Sequence, residues 1–274
     1  MTAIHCTAPL HYVDRSTFEA APVPTEIRDG RVGLADRAFE DCGFTLLDHA
    51  SAVTDWRSEV HLDEVHGPEV AELAKAFTGC GITVTYPSLV RSPRAAELTE
   101  DYAPIDFVHS DFTEDYGRMV VEPDRPYRAF LDPLLDAQGL TPADLAAADR
   151  LMLLQFWRNT GPVEADYPFA LCDARTIPES CMVRQVIPEY GGLHLEFETF
   201  GVWTPSGDVS PEWYTFPNLG IDEVVALRTY DSRCVDQGRP FWTPHSAFRD
   251  PGVEASPQTR RESVEMRVLC VWPS

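Results

Sequence analysis

Lysine is almost missing from this chain: Lys75 is the only one in 274 residues, so nearly all positive charge is arginine. Lys and Arg together number 22 against 44 Asp and Glu, a formal net charge of −22. Such a surface repels phosphate backbones and anionic lipid, which argues against nucleic acid and membrane surfaces as partners. The seven cysteines, at 6, 42, 80, 172, 181, 234 and 270, form no Cys-x-x-Cys pair. An odd, unpatterned set reads as reduced thiols rather than a disulfide framework or a zinc site, and points to the cytoplasm. No apolar run approaches the length of a membrane span, and residues 1–22 have neither the basic start nor the apolar stretch of a secretory signal. A Gly-x-Ser-x-Gly elbow and a phosphate-binding loop are both missing, and Gly79 and Gly81 lack the rest of a dinucleotide fingerprint. With no internal repeat and no linker-like stretch, residues 1–274 read as one domain.

What is present is a globular composition, 44% apolar, punctuated by 23 prolines that favour short elements. Pro68 to Phe77 predicts a helix: Val70, Leu73, Ala74 and Phe77 recur at helical spacing, Pro68 suits the first turn and Gly79 the C-terminal cap. Residues 132–149 predict a helix in two pieces, the second opened by Thr141, Pro142 and Asp144. From Leu151 the character changes. Residues 151–157, 169–172, 181–187, 193–203, 212–216, 223–230 and 263–272 read as strands, with 43–47, 82–89 and 106–111 as earlier ones. Helical elements mainly in 55–150, followed by many short strands, predict a mainly β fold, a jelly roll with helices on one side.

Three His-x-carboxylate pairs occur: His61/Asp63, His109/Asp111 and His194/Glu196. The first lies in a charged segment leading into a helix, where residues two apart do not face each other. The third lies in an expected strand but has no turn beside it to bring further ligands in. His109 and Asp111 end an apolar strand just before a polar stretch, and alternate positions of a strand share a face. With His245, in a segment walled by Trp242 and Phe248, they make the ligand set of a mononuclear non-haem iron site with open positions. A lone histidine there would more often be a hydrogen-bonded structural residue; the pair upstream changes that balance.

Arg261, Ser263, Glu265 and Arg267 alternate along the last strand and share one face. Two arginines on an interior face are costly unless they meet anions. The far carboxylate of 2-oxoglutarate would satisfy Arg261 with help from Ser263, with Arg267 as the alternative anchor. The rival reading is an internal ion pair with Glu265 or another carboxylate. Arg158 and Arg175 are candidates for holding a carboxylate of substrate or cosubstrate, against a reading as ordinary ion pairs. Trp157 is a candidate pocket wall, against a reading as core.

Several segments, taken in order, resemble the bacterial and fungal oxygenases related to the cephalosporin hydroxylase component CmcJ, the AsaB-like hydroxylase/desaturase group. They are residues 44–55, the strand Val108 to Thr113, Phe156 to Arg158, Gly161 to Val163, Leu171 to Arg175, Trp213 and Tyr214, Asp222 and Glu223, Tyr230 to Ser232, Pro244 to Pro251 and Arg261 to Arg267. The resemblance implies a double-stranded β-helix dioxygenase, with His109, Asp111 and His245 as ligands of Fe(II) and with 2-oxoglutarate and O2 as cosubstrates. It also implies a small natural-product or amino-acid-derived substrate that is hydroxylated, desaturated or cyclised in secondary metabolism. Gln155 stands two residues before the tryptophan where the family carries an asparagine, one methylene shorter, and is counted with the cosubstrate residues. A partner enzyme or a homo-oligomer is compatible with the resemblance. Two rival readings stay open: a cupin-like metal enzyme that does not use 2-oxoglutarate, and a non-catalytic jelly-roll subunit.

Overall fold

A computed structural model describes residues 3–34 and 38–274. Its strands run in chain order β1 (Ile4–Val13), β2 (Ala20–Asp29), β3 (Phe44–Asp48), β4 (Ile82–Thr85), β5 (Leu89–Arg91), β6 (His109–Ser110), β7 (Arg150–Asn159), β8 (Phe169–Cys172), β9 (Met182–Ile187), β10 (Phe197–Val202), β11 (Trp213–Thr215), β12 (Glu223–Asp231), β13 (His245–Ala247) and β14 (Ser263–Trp272). One sheet has the order β1-β2-β11-β8-β13-β6-β10-β9; the other is β3-β12-β7-β14-β4, with β5 also paired to β14. The two sheets face each other as a double-stranded β-helix, the fold expected from the sequence.

The three longest helices among the described residues are α1 (Gly67–Thr78), α2 (Arg128–Asp136) and α3 (Pro142–Ala147). In α1, Val70 and Ala74 are buried, and Gly79 ends the helix in the left-handed region at φ 71°. There an amide donates back to the Lys75 carbonyl, and a side chain would be strained. In α3, Thr141 and Asp144 cap each other reciprocally.

Alternation along β7 and β14 builds two layers of core. Met152, Leu154, Phe156, Met266, Val268 and Cys270 point outward, where Val70 and Ala74 of α1 cover them. Leu153, Leu269 and Val271 point inward and pack against Leu10, Ala170 and Trp213 of the opposite sheet. Both faces of the central strands are therefore dry at this end, which is why they read as nearly continuous apolar runs. The inward face of β14 then changes character: Leu269 and Val271 give way to Arg267, Glu265 and Ser263. That switch marks where packed core ends and cavity begins.

Several strand expectations shorten: the 82–89 strand breaks into Ile82–Thr85 and Leu89–Arg91, and 212–216 keeps only Trp213–Thr215. The 106–111 strand is reduced to His109–Ser110, and the 193–203 strand begins only at Phe197. The long β1–β2 hairpin was not read from the sequence, because Pro9, Pro22 and Pro24 argue against a strand. Pro9 and Pro24 in fact stand opposite each other in its register.

Candidate metal centre and cosubstrate cavity

β6 and β13 are neighbours in the eight-stranded sheet, and their register sets His245 directly opposite His109. The His109 Nδ1 donates to the Phe107 carbonyl at 2.7 Å, and the His245 Nδ1 to the Thr243 carbonyl at 2.9 Å. A carbonyl only accepts, so Nδ1 carries a proton in both rings, and in the neutral tautomer Nε2 has its lone pair to offer. Each Nε2 lies 3.6 Å from Asp111 Oδ1. One atom from each of the three residues falls within 4.8 Å of the others. Two neutral imidazoles and a carboxylate converging from one side fit a metal that keeps open positions. Tying each Nδ1 to a carbonyl fixes the rings for that task.

Arg267 orients the carboxylate. Its Nε and Nη2 donate to Asp111 Oδ2 at 3.1 and 2.9 Å, which turns Oδ1 toward the imidazoles. Burial alone would raise the Asp111 carboxyl, but Arg267 and then the two imidazoles outweigh it and hold it well below the usual carboxylate range. Burial, followed by the neighbouring His245, pushes the His109 imidazole down to about 4. The pair of ligands is thus held as neutral imidazole and carboxylate, the forms a metal needs.

The cluster opens on a cavity of about 1070 Å³. His109, Asp111, His245, Gln155, Trp157, Arg261, Glu265 and Arg267 all face it. Arg261 is 5% exposed, and its guanidinium stacks 5.3 Å from the Trp157 ring. The Trp157 ring stacks on Phe169 at 5.1 Å, and Phe169 meets His245 edge-on at 5.4 Å. The Arg261 Nε donates to Ser263 Oγ and its Nη1 to the Tyr167 carbonyl. No carboxylate forms an ion pair with it among the described residues. Burial, then the like charge of Arg91, pushes Arg261 down to about 9, so it is still a cation at neutral pH. A buried, unpaired cation in a cavity is an anion site. The Trp157 Nε1 and Gln155 Oε1 are also buried without partners on the same wall. A ligand carboxylate or carbonyl would satisfy Arg261 and the Trp157 Nε1, while the Gln155 Oε1 calls for a donor such as a hydroxyl or water.

Several expected roles change with the geometry. Arg267 is committed to Asp111, so it is the partner of a metal ligand rather than the alternative anchor for 2-oxoglutarate. Ser263 serves the Arg261 guanidinium and does not itself line the cavity. Arg158 follows Trp157 on β7 and so projects from the other face, where it donates to the His49 and Ile221 carbonyls and stacks on Trp56. Arg175, in a short turn after β8, is held by both oxygens of Asp173. Neither Arg158 nor Arg175 lines the cavity. His194 and Glu196 are exposed and precede β10 instead of lying within it.

Other cavity residues gave no sign in the sequence. Arg91 forms a buried ion pair with Glu265 at 2.9 Å and also donates to Tyr190 Oη. Tyr86 and Tyr127 line the wall, and the Tyr86 Oη meets the Tyr116 Oη at 2.6 Å behind it. Glu265, named in the sequence as a possible ion-pair partner of Arg261 or Arg267, pairs with Arg91 instead. Arg91 lies in a Pro- and Ser-rich stretch with no periodic signal.

The double-stranded β-helix and its His109, Asp111 and His245 cluster are an arrangement of the kind that iron- and 2-oxoglutarate-dependent oxygenases use. A family model described as an oxidoreductase/YMDC permease-like domain matches residues 2–271, and the chain belongs to that family. It is 26% identical over 270 residues to the hydroxylase/desaturase efuI of Hormonema carpetanum, covering 91% of this chain and 83% of that protein. It is 27% identical over 252 residues to the alpha-ketoglutarate-dependent dioxygenase phiK of a fungal species, strain ATCC 74256, covering 90% and 83%. Among solved structures, the iron and alpha-ketoglutarate-dependent endoperoxidase NvfI superposes with a TM-score of 0.77 at 21% identity, over 98% of both chains. No described helix is long and apolar enough to cross a membrane.

Proposed function

We propose that this protein is an Fe(II)- and 2-oxoglutarate-dependent oxygenase that hydroxylates, desaturates or cyclises a small natural product in secondary metabolism. The observation that carries this reading is that one cavity holds both a three-donor face and a buried cation with no carboxylate in ion-pair contact. The first suits a metal that keeps open positions, and the second suits the far carboxylate of a dicarboxylate cosubstrate. The names of the relatives, a hydroxylase/desaturase and a dioxygenase, agree with it.

His109, Asp111 and His245 would hold the iron, and Arg261 would hold 2-oxoglutarate. When bound, iron with 2-oxoglutarate and O2 supplies the oxidising power that breaks a C–H bond. The protein does the rest. The Phe107 and Thr243 carbonyls keep both Nε2 atoms bare, and Arg267 keeps the carboxylate aimed. Arg261, cushioned on Trp157, fixes an anion by charge and planarity. Phe112, Tyr127, Phe130 and Phe197 wall the wider part of the cavity and exclude water from the reacting carbon. The partner we propose is a small-molecule substrate; all three ligands and the anchoring arginine come from one chain. The cytoplasm is the proposed compartment, supported by seven free cysteines.

The test is anaerobic addition of Fe(II) and then 2-oxoglutarate to metal-free protein, followed by visible absorption. A metal-to-ligand charge-transfer band in the wild type that disappears in His109→Ala is the expected result. Folded protein that binds iron but shows no band with 2-oxoglutarate would overturn the cosubstrate assignment.

A further inference from the structure

A second group of metal-ligating side chains lies outside the cavity. His5 and Cys6 are consecutive on β1, where neighbours normally point to opposite faces. The register of the hairpin breaks at that point: Ile4 pairs with Arg28 and Cys6 with Ile27, so β1 takes two steps while β2 takes one. His5 is the extra residue of a β-bulge, and bulges re-aim side chains. The result is that His5, Cys6 and Asp250 each bring one ligand atom within 4.8 Å of the others. We propose that they form a binding site for a borderline transition-metal ion of the Zn(II) type, separate from the central one.

The donor set supports that chemistry. Imidazole, thiolate and carboxylate are the three side chains that zinc takes, and a water completes four-coordination. Zinc-length bonds need donors roughly 3 to 4 Å apart, so an ion could be closed upon with small side-chain movements. The His5 Nε2 already lies 2.8 Å from Asp250 Oδ2. The other oxygen, Asp250 Oδ1, accepts from the Gly252 amide at 2.8 Å, the kind of secondary contact that orients a ligating carboxylate. The Asp250 side chain is 9% exposed and that of His5 25%, so the cluster is sheltered yet reachable. Without metal, burial and the Asp250 charge keep the Cys6 thiol protonated, so an ion that binds there must displace that proton.

The location gives the site a structural role. It ties the open end of the β1–β2 hairpin to the loop that follows β13, five residues past the His245 ligand. In that loop the Asp250 amide donates to the Asp166 carbonyl, and the Asp166 side chain accepts from the Arg261 amide. An ion at Asp250 would therefore brace the segment between the metal face and the anion anchor.

Cobalt(II) distinguishes the two sites, because the central one has no sulfur donor and only the second can give the near-ultraviolet thiolate-to-cobalt charge-transfer band. Metal-free full-length protein is titrated with Co(II). The expected result is that band in the wild type and in His109→Ala, its loss in Cys6→Ser, and at least tenfold weaker Co(II) binding at this site in Asp250→Asn. Zn(II) should bleach the band, and it should raise the melting temperature of His109→Ala but not of the double variant His109→Ala with Cys6→Ser. Absence of a thiolate band in wild type at saturating cobalt would overturn the proposal, as would an undiminished band in folded Cys6→Ser. If Cys6→Ser does not fold, unchanged cobalt affinity in Asp250→Asn overturns it.

Discussion

His109 and His245 are a cross-strand pair, opposed in register with their ring centroids 4.3 Å apart, and each ring is steered by the carbonyl two residues before it. Two strand segments distant in sequence thus solve the same orientation problem in the same way. Neither imidazole needs a carboxylate to fix its tautomer, which leaves Asp111 free to face both.

The steering of His245 reaches back to a glycine. Gly43 adopts φ +92°, and a methyl group there would run into Thr243, the residue whose carbonyl holds His245. Gly43→Ala should destabilise the protein by about 1–3 kcal/mol and weaken iron binding. Thermal melts and an iron titration check both. Loss of stability with iron affinity unchanged would uncouple Thr243 from the site.

Arg267→Met should lower Fe(II) affinity by about 10- to 100-fold, because Asp111 loses the group that aims it. Asp111→Ala should abolish succinate formation coupled to product. Equilibrium binding with a chromogenic chelator separates the two effects, and an Arg267→Met protein with wild-type affinity would reduce that contact to packing.

Arg261→Ala should raise the apparent KM for 2-oxoglutarate by about two orders of magnitude, the cost of removing one side of a buried charge pair. Arg158→Ala and Arg175→Ala should leave that KM within about twofold, since neither faces the cavity. Steady-state kinetics across the three variants orders them directly. Arg158→Ala should instead lose stability, because its guanidinium holds two backbone carbonyls.

Acid should destabilise the protein partly through His66. Burial, then the nearby Arg158, pushes its imidazole down to about 4 in the folded state, whereas an unfolded histidine titrates near 6.5. Between those values the unfolded chain binds more protons. The contribution is therefore present above pH ~6.5 and lost as pH falls toward about 4, by at most about 3 kcal/mol. Urea melts at several pH values, with the central site metal-loaded so that His109 does not titrate, should show this loss in wild type and a shallower one in His66→Gln.

The legible part of this protein was its alternation. β8 and β14 were readable to the residue, because apolar and β-branched runs there end in Pro, Gly or Asp. His109, Asp111, His245 and Arg261 were legible as residue types at alternating positions, although Asp111 lies just past β6 and Arg261 two residues before β14. Partnerships were harder to see. Arg267 and Arg261 alternate in register along the sequence, so sequence alone made them alternatives; the packing of the two sheets gave one to Asp111 and left the other without a carboxylate. Arg158 and Trp157 are adjacent, and only the register of β7 says which of them faces in. The β1 bulge was invisible, because a one-residue break in pairing depends on the partner strand.

β14 follows every other strand in the chain yet lies inside its sheet, between β7 and β4. Before it is in place, Asp111 has no guanidinium and nothing joins β4 and β5 to β7. Insertion of this strand delivers Arg267, Glu265 and Arg261 together, late in folding because its contacts are distant in sequence. A chain that lacks this strand has all three candidate ligands but not the guanidinium that aims Asp111, so its metal affinity is expected to be lower than that of the finished fold.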